Sequence, residues 1–442
     1  MERFTLRSLK KYLVRAAAIF VLTGLFSAQV WAAPEMAVSL VDGQYSAAIN
    51  SEVDFTVWDG VSGKTVSLKK GKYFLNGANG MVNIGGKTFN YGVVLKLTDD
   101  KKTFTVNRQQ YRGALQILAG GGGSTLAVNN LVSLEDYVNS VLGPKSSPVW
   151  PDEAIKAQAV AVRSLAWYKQ STRDGSYAVK ANDKDLFYGG ANNEIKSVNK
   201  VAALTSGEIL YYQGRPAQTY SCESSGGQTE DSVNVLGYSL PYLHSVQDYD
   251  QDCPSFKWTK NLTVANVGRI LEQNGYVLGT LESYRLSALS EPYAQDRSST
   301  GRVRYVYFKG SSGSVTIEGA KLAGILALSS NLFEMKAATA LPDKLDVPIA
   351  NRDGYPIGHK EIPIEITGKD EPRWKQVIPG YVFLSGSKDE NLVFTGRGIG
   401  DGLGLSKWGA KGLADQAPAG SVNYYREILQ HYYPGTELSH IN

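Results

Sequence analysis

The sequence predicts an α+β fold, with a β-rich N-terminal lobe, a mixed α/β core around a central helix, and a glycine-rich C-terminal loop that lines a cleft. Three observations lead there. Between Pro34 and Asn130, short apolar stretches are separated by turn signals such as Asp42-Gly43, Asp59-Gly60, Asn76-Gly77 and Asn79-Gly80, the spacing of consecutive strands. One long helical pattern follows, from Pro151 through Ile155, Ala159, Val162 and Ala166 on one face. Near the C-terminus the run Gly396 to Gly412 (GRGIGDGLGLSKWGAKG) places seven glycines among Arg, Asp, Ser and Lys. Glycine removes Cβ and tolerates positive φ, so this run reads as a shaped binding loop.

Taken in order, residues 1–32 read as an export signal. Five basic side chains precede the apolar run Ala16 to Leu25, and Val30 and Ala32 occupy the small-residue positions of a cleavage site. The run is short for a membrane span, and an uncleaved N-terminal anchor is the alternative. Residues 33–130 form the lobe, with strands expected at Asp54 to Trp58, Tyr91 to Leu97 and Ala114 to Leu118. The core spans 131–340. In it Pro151 opens the long helix, and Asp152 and Glu153 sit in its positive first turn. Further strands are expected at Glu208 to Tyr212, Ala217 to Cys222, Val303 to Phe308 and Ser314 to Ile317, with helices over Asn266 to Gln273 and Ala320 to Leu328. The polar stretch 341–375 reads as an insertion or linker. In 376–442, Ser406 is the expected N-cap of one helix and Ser421 of the last.

Charge narrows the partners. With the five basic and one acidic residues of the first 32 set aside from 46 and 42, basic and acidic residues balance at 41 each. A chain neutral beyond that segment, with 26 Tyr and 7 Trp over its full length, is a poor nucleic-acid binder and suits an uncharged polymer that stacks on aromatic faces. The glycine run is no nucleotide loop, because neither phosphate-binding spacing is present. Cys222 and Cys253 are the only cysteines. In an exported chain a disulfide between them is the first expectation; a zinc site with His244 and a pair of free thiols are the others. Arg163, beside Val162, Leu165 and Ala166, needs an internal carboxylate or a ligand as partner.

Four segments, in this order, resemble the SpoIID/LytB family of bacterial cell-wall proteins, the stage II sporulation protein D and amidase-enhancer group: Tyr111 to Val138, Trp150 to Ser164, Ser221 to Leu243, and Gly396 to Gly412. The resemblance runs from about residue 35 to the C-terminus. It implies an exported protein directed at peptidoglycan glycan strands, as a lytic transglycosylase or as the enhancer of a wall amidase or other hydrolase. No cofactor is implied. Cleavage requires an acid that protonates the glycosidic oxygen. In active relatives that acid is a Glu eight residues after the Tyr matching Tyr137 and eight before the Glu matching Glu153, which here is Lys145. The family pattern also has His at Asp401, Met at Leu405 and Gln at Lys407. The resemblance therefore implies glycan binding without the standard acid, through Trp150, Arg163, Ser224, Ser225, Gly226, Gly227, Arg397, Gly398, Gly400, Gly402, Gly404, Ser406 and Lys407. Asp401 is the candidate for a relocated acid in an enzyme that stays active.

Overall fold

The structure is a computed structural model that describes residues 34–120, 123–291, 294–339, 344–350, 356–363, 381–384 and 390–441. The expected signal segment lies outside them. The fold is α+β, and the described residues form two compact units. Unit 1 gathers those of Met1–Cys222, Leu240–Tyr249 and Leu403–Asn442; unit 2 gathers those of Glu223–Ser239 and Asp250–Gly402. The division falls inside the glycine-rich run, between Gly402 and Leu403. Helices are α1 Leu134–Leu142, α2 Asp152–Ser171, α3 Lys196–Ala202, α4 Ser232–Leu236, α5 Val264–Gln273, α6 Gly319–Ile325, α7 Lys407–Asp415 and α8 Tyr425–Tyr432.

In unit 1 a seven-stranded sheet has the order Val179–Lys180, Glu35–Gln44, Leu126–Ser133, Ala114–Ala119, Gly92–Leu97, Phe55–Asp59, Thr65–Leu68. A six-stranded sheet contains Ser46–Ser51 and Gly71–Ala78 at its centre. Burial alternates along Phe55–Asp59, whereas all six residues of Ala114–Ala119 are buried. A strand buried throughout needs cover on both faces, and one core joins Leu115 and Ile117 of this strand to Val141 of α1 and Ile155 of α2. Each such side chain contributes about 1.5–3 kcal/mol.

Helix α2 is buried at twelve consecutive and near-consecutive positions from Ala154 to Ala166. It packs against α1, α7, α8 and the strand Glu208–Tyr212. Small alanines at 154, 157, 159, 161 and 166 let these neighbours approach closely. Pro151 occupies the N-cap rather than the first helical turn. Glu153 binds across unit 1, accepting from the Tyr425 backbone N–H at 2.7 Å, which places a carboxylate at the positive start of α8.

In unit 2, Glu390–Arg397 pairs antiparallel with both Lys257–Thr263 and Phe333–Thr339, and a four-stranded sheet runs Gly313–Glu318, Tyr305–Gly310, Leu281–Arg285, Tyr381–Phe383. Within the stretch expected to be an insertion or linker, Lys344–Ala350 pairs antiparallel with Pro356–Pro363. Two expectations are corrected. The strand Ala217 to Cys222 shrinks to Ser221–Cys222, and the Gln218 backbone N–H donates to the Tyr242 hydroxyl at 2.9 Å instead of to a neighbouring strand. Ser421 does not cap α8; its hydroxyl donates to the Pro418 carbonyl, and Asn423 at φ 61° breaks the chain direction before the helix starts.

Candidate functional site

Lys145 ends a short 3₁₀ turn, Gly143–Lys145, directly after α1. Gly143 is obligatory there, since a Cβ would collide with the Asn193 carbonyl. The Lys145 ammonium donates to the backbone carbonyl of Asp185. With Gln158 from α2, Ser221, Leu405 and Lys407 it borders a cavity of about 10 Å³ in unit 1, roughly the size of one water. Ser146 donates to Gln158 Oε1 at 2.7 Å, leaving Gln158 Nε2 buried without a partner. No carboxylate borders this cavity.

Lys407 is only 8% exposed and opens α7, the positive end of that helix, where a cation is electrostatically disfavoured. Ser406 does cap α7, accepting from the Gly409 N–H at 3.0 Å. Tyr433 fixes the strand before it, accepting from Leu405 N at 3.2 Å while donating to the Tyr220 carbonyl at 2.7 Å. Burial pushes the Tyr433 phenol well above its usual range, so it stays a neutral donor. Trp150 and Trp408, both half-buried, meet edge to face at 5.1 Å between centroids.

Unit 2 contains the other half of the predicted set, and much of it points inward. Ser224 and Ser225 are fully buried. Ser224 donates to Asp250 Oδ2 at 2.5 Å, and the Gly226 N–H donates to the same oxygen at 2.8 Å. Arg302, 2% exposed, donates to the Ser225 carbonyl at 2.6 Å, to the Gly400 carbonyl at 3.1 Å and to Asn331 Oδ1 at 2.7 Å. One guanidinium thus fastens the Ser224–Gly227 turn to the glycine run. A Cβ at Gly402 would strike that guanidinium, and one at Gly398 would lie 2.7 Å from the Ser224 carbonyl. These two glycines serve internal packing. Gly398→Ala, at φ +75°, is expected to cost at least about 2 kcal/mol, read as a lowered urea midpoint.

The structure places the predicted binding residues differently from one another. Ser224, Ser225, Gly226, Gly398, Gly402, Gly404 and Ser406 are buried, and their polar atoms hold turns or caps instead of facing solvent. Arg163 is 0% exposed and is consumed by a bidentate pair with Glu135, at 2.9 and 2.8 Å, and by the Glu208 carbonyl at 3.1 Å. Trp150, Gly227, Arg397, Gly400 and Asp401 keep some exposure. Backbone bonds hold Asp401 on either side, from Gly400 N to the Ser329 carbonyl and from Glu230 N to the Gly402 carbonyl, each at 2.9 Å.

Cys222 and Cys253 are buried thiols, not a disulfide. Each is housed separately: Cys222 lies beside Tyr433, and Cys253 beside Ser224 and Asp250, where burial raises its pKa. The alternative zinc set is not assembled, since His244 is exposed against the Pro241 carbonyl and no three His, Cys, Asp or Glu side chains converge among the described residues. Arg302 was missed from sequence, where nothing sets it apart from neighbouring arginines. Gln158 and Trp408 were visible in the motifs but not assigned a role.

Residues 122–212 match the model of the SpoIID family, stage II sporulation protein. An uncharacterized protein of Brachyspira hyodysenteriae is 26% identical over 409 residues, covering 91% of this chain and 89% of that one. The amidase enhancer of Bacillus subtilis is 28% identical over 304 residues, covering 67% of this chain and 39% of its own length. Stage II sporulation protein D of Bacillus subtilis is 23% identical over 329 residues, covering 70% and 75%. Both at the level of the family model and in its relatives, the chain matches the SpoIID/LytB family of amidase enhancers and stage II sporulation proteins D.

Proposed function

We propose that this is an exported envelope protein that binds peptidoglycan glycan strands, lacks the family's transglycosylase acid, and enhances a partner wall hydrolase such as an amidase during wall remodelling or sporulation. The observation that carries the proposal is the cavity where Lys145 and Lys407 meet with Gln158: two ammonium groups and an amide donor, and no group that can give a proton to a glycosidic oxygen at neutral pH. Binding has separate support in each unit, from the half-buried Trp150 in one and from Arg397 in the other. An extracytoplasmic location accords with the family match. No helix among the described residues is long and apolar enough to cross a membrane.

The test uses purified protein and peptidoglycan stripped of its peptides. Co-sedimentation without release of soluble sugars is the expected result, with weaker co-sedimentation for Trp150→Ala. Release that disappears in Asp401→Ala would establish instead an active enzyme with a relocated acid. Absence of co-sedimentation would overturn glycan binding altogether.

A further inference from the structure

Gln158, on α2, is 3% exposed, and only half of its amide is satisfied. Its Oε1 accepts from the Ser146 hydroxyl at 2.7 Å, while Nε2 is buried with no partner. A buried amide nitrogen without an acceptor carries a desolvation penalty. Ser146 is not among the residues lining the cavity of about 10 Å³ in unit 1, whereas Gln158 is, so the amide turns its nitrogen toward that space.

The rest of the lining decides what can accept from it. Four aliphatic side chains, the Ser221 hydroxyl and the side chains of Lys145 and Lys407 complete the wall. An ammonium only donates, so neither lysine can serve Gln158 Nε2. Asp185 gives Lys145 its backbone carbonyl, and its carboxylate stands 4.0 Å from Lys169. A water in this space would accept from the amide but would bring two protons of its own, against one side-chain acceptor, the Ser221 hydroxyl. A halide accepts from every donor and has no proton to place. It also offsets two positive charges held against an apolar wall, and Lys407 opens α7, whose positive end favours an anion. A space of about 10 Å³ takes one water or one monatomic ion and is too small for sulfate, phosphate or a carboxylate ligand.

We infer that this cavity is a halide site, in which one chloride ion accepts from Gln158 Nε2 and from the ammonium groups of Lys145 and Lys407. The site does not depend on glycan binding. The ion joins the turn after α1 to α2 and to the start of α7, and thereby stabilises unit 1.

Two measurements test it. Melting temperature is followed at constant ionic strength as chloride replaces gluconate, which is too large for the cavity, and crystals grown in bromide locate the ion by anomalous scattering. Raising chloride from about 1 to about 100 mM is expected to raise the melting temperature of the wild type by at least about 2 °C. The bromide peak is expected within hydrogen-bond reach of Gln158 Nε2. Gln158→Glu brings a fixed negative charge to the cavity, so the chloride response is expected to vanish in that variant. A response in Gln158→Glu equal to that of the wild type would put the ion elsewhere and overturn the site. If that variant does not fold, the bromide position still decides. Water in place of bromide, with Gln158 turned so that Oε1 accepts from an ammonium, would overturn the site as well. A bromide peak in a protein whose melting temperature ignores chloride would mark an adventitious ion only, and the inference would fall.

Discussion

Lys145→Glu by itself is expected to leave the protein unable to cleave peptide-stripped glycan, whereas Lys145→Glu combined with Lys407→Gln is expected to raise product release at least about a hundredfold over the wild-type background. Both positions border the same small cavity. A carboxyl placed beside the Lys407 ammonium is held ionised, because a nearby positive charge lowers its pKa, and an ionised carboxylate has no proton to give. Glutamine, the family residue at that position, removes this field. Burial then raises the carboxyl pKa toward the range in which a general acid works. Soluble sugar release from stripped peptidoglycan is the readout. Release by the single variant equal to that of the double would show that Lys407 does not control the site; silence of both would remove position 145 as the place of the acid.

Glu135→Gln is expected to destabilise unit 1 by about 3 kcal/mol, seen as a lowered urea midpoint with an unchanged slope. Arg163 is fully enclosed, and among the described residues Glu135, whose side chain is 34% exposed, supplies its only ion pair. The same carboxylate accepts from Gly207 N at 2.9 Å, so one side chain ties α1 to α2 and to the turn before Glu208–Tyr212. An amide cannot accept both guanidinium bonds, and the charge would stay buried without compensation. A loss below about 1 kcal/mol would mean that the carbonyls around Arg163 suffice.

What could be read from sequence was what local chemistry decides. Phe55–Asp59, Gly92–Leu97, Ala114–Ala119 and Glu208–Tyr212 fall within a residue or so of their expected positions, because turn dipeptides bound them and alternating or continuous apolar residues fill them. Helix α2 and the Ser406 cap were equally legible, since acidic first turns and capping hydroxyls act within four residues. The site was less so. Serines at 224 and 225 read as surface residues by composition, yet Asp250 and Arg302, distant in sequence, turn them inward. Positive φ at Gly398 and Gly402 was implied by their residue type; that the space beside them belongs to the protein itself depends on tertiary contacts no spacing encodes.

The pairing of Ser221 and Cys222 with Leu405 and Ser406 fixes when unit 1 becomes whole. Until residues 403–441 have been synthesised, α2 lacks the two helices that cover one flank, and Glu208–Tyr212 lacks the strand Glu437–His440. A premature stop or a proteolytic nick at 397–402 would therefore spare most of the polypeptide yet strand an oily helix flank in water. The product would be a candidate for aggregation or turnover rather than a smaller working protein.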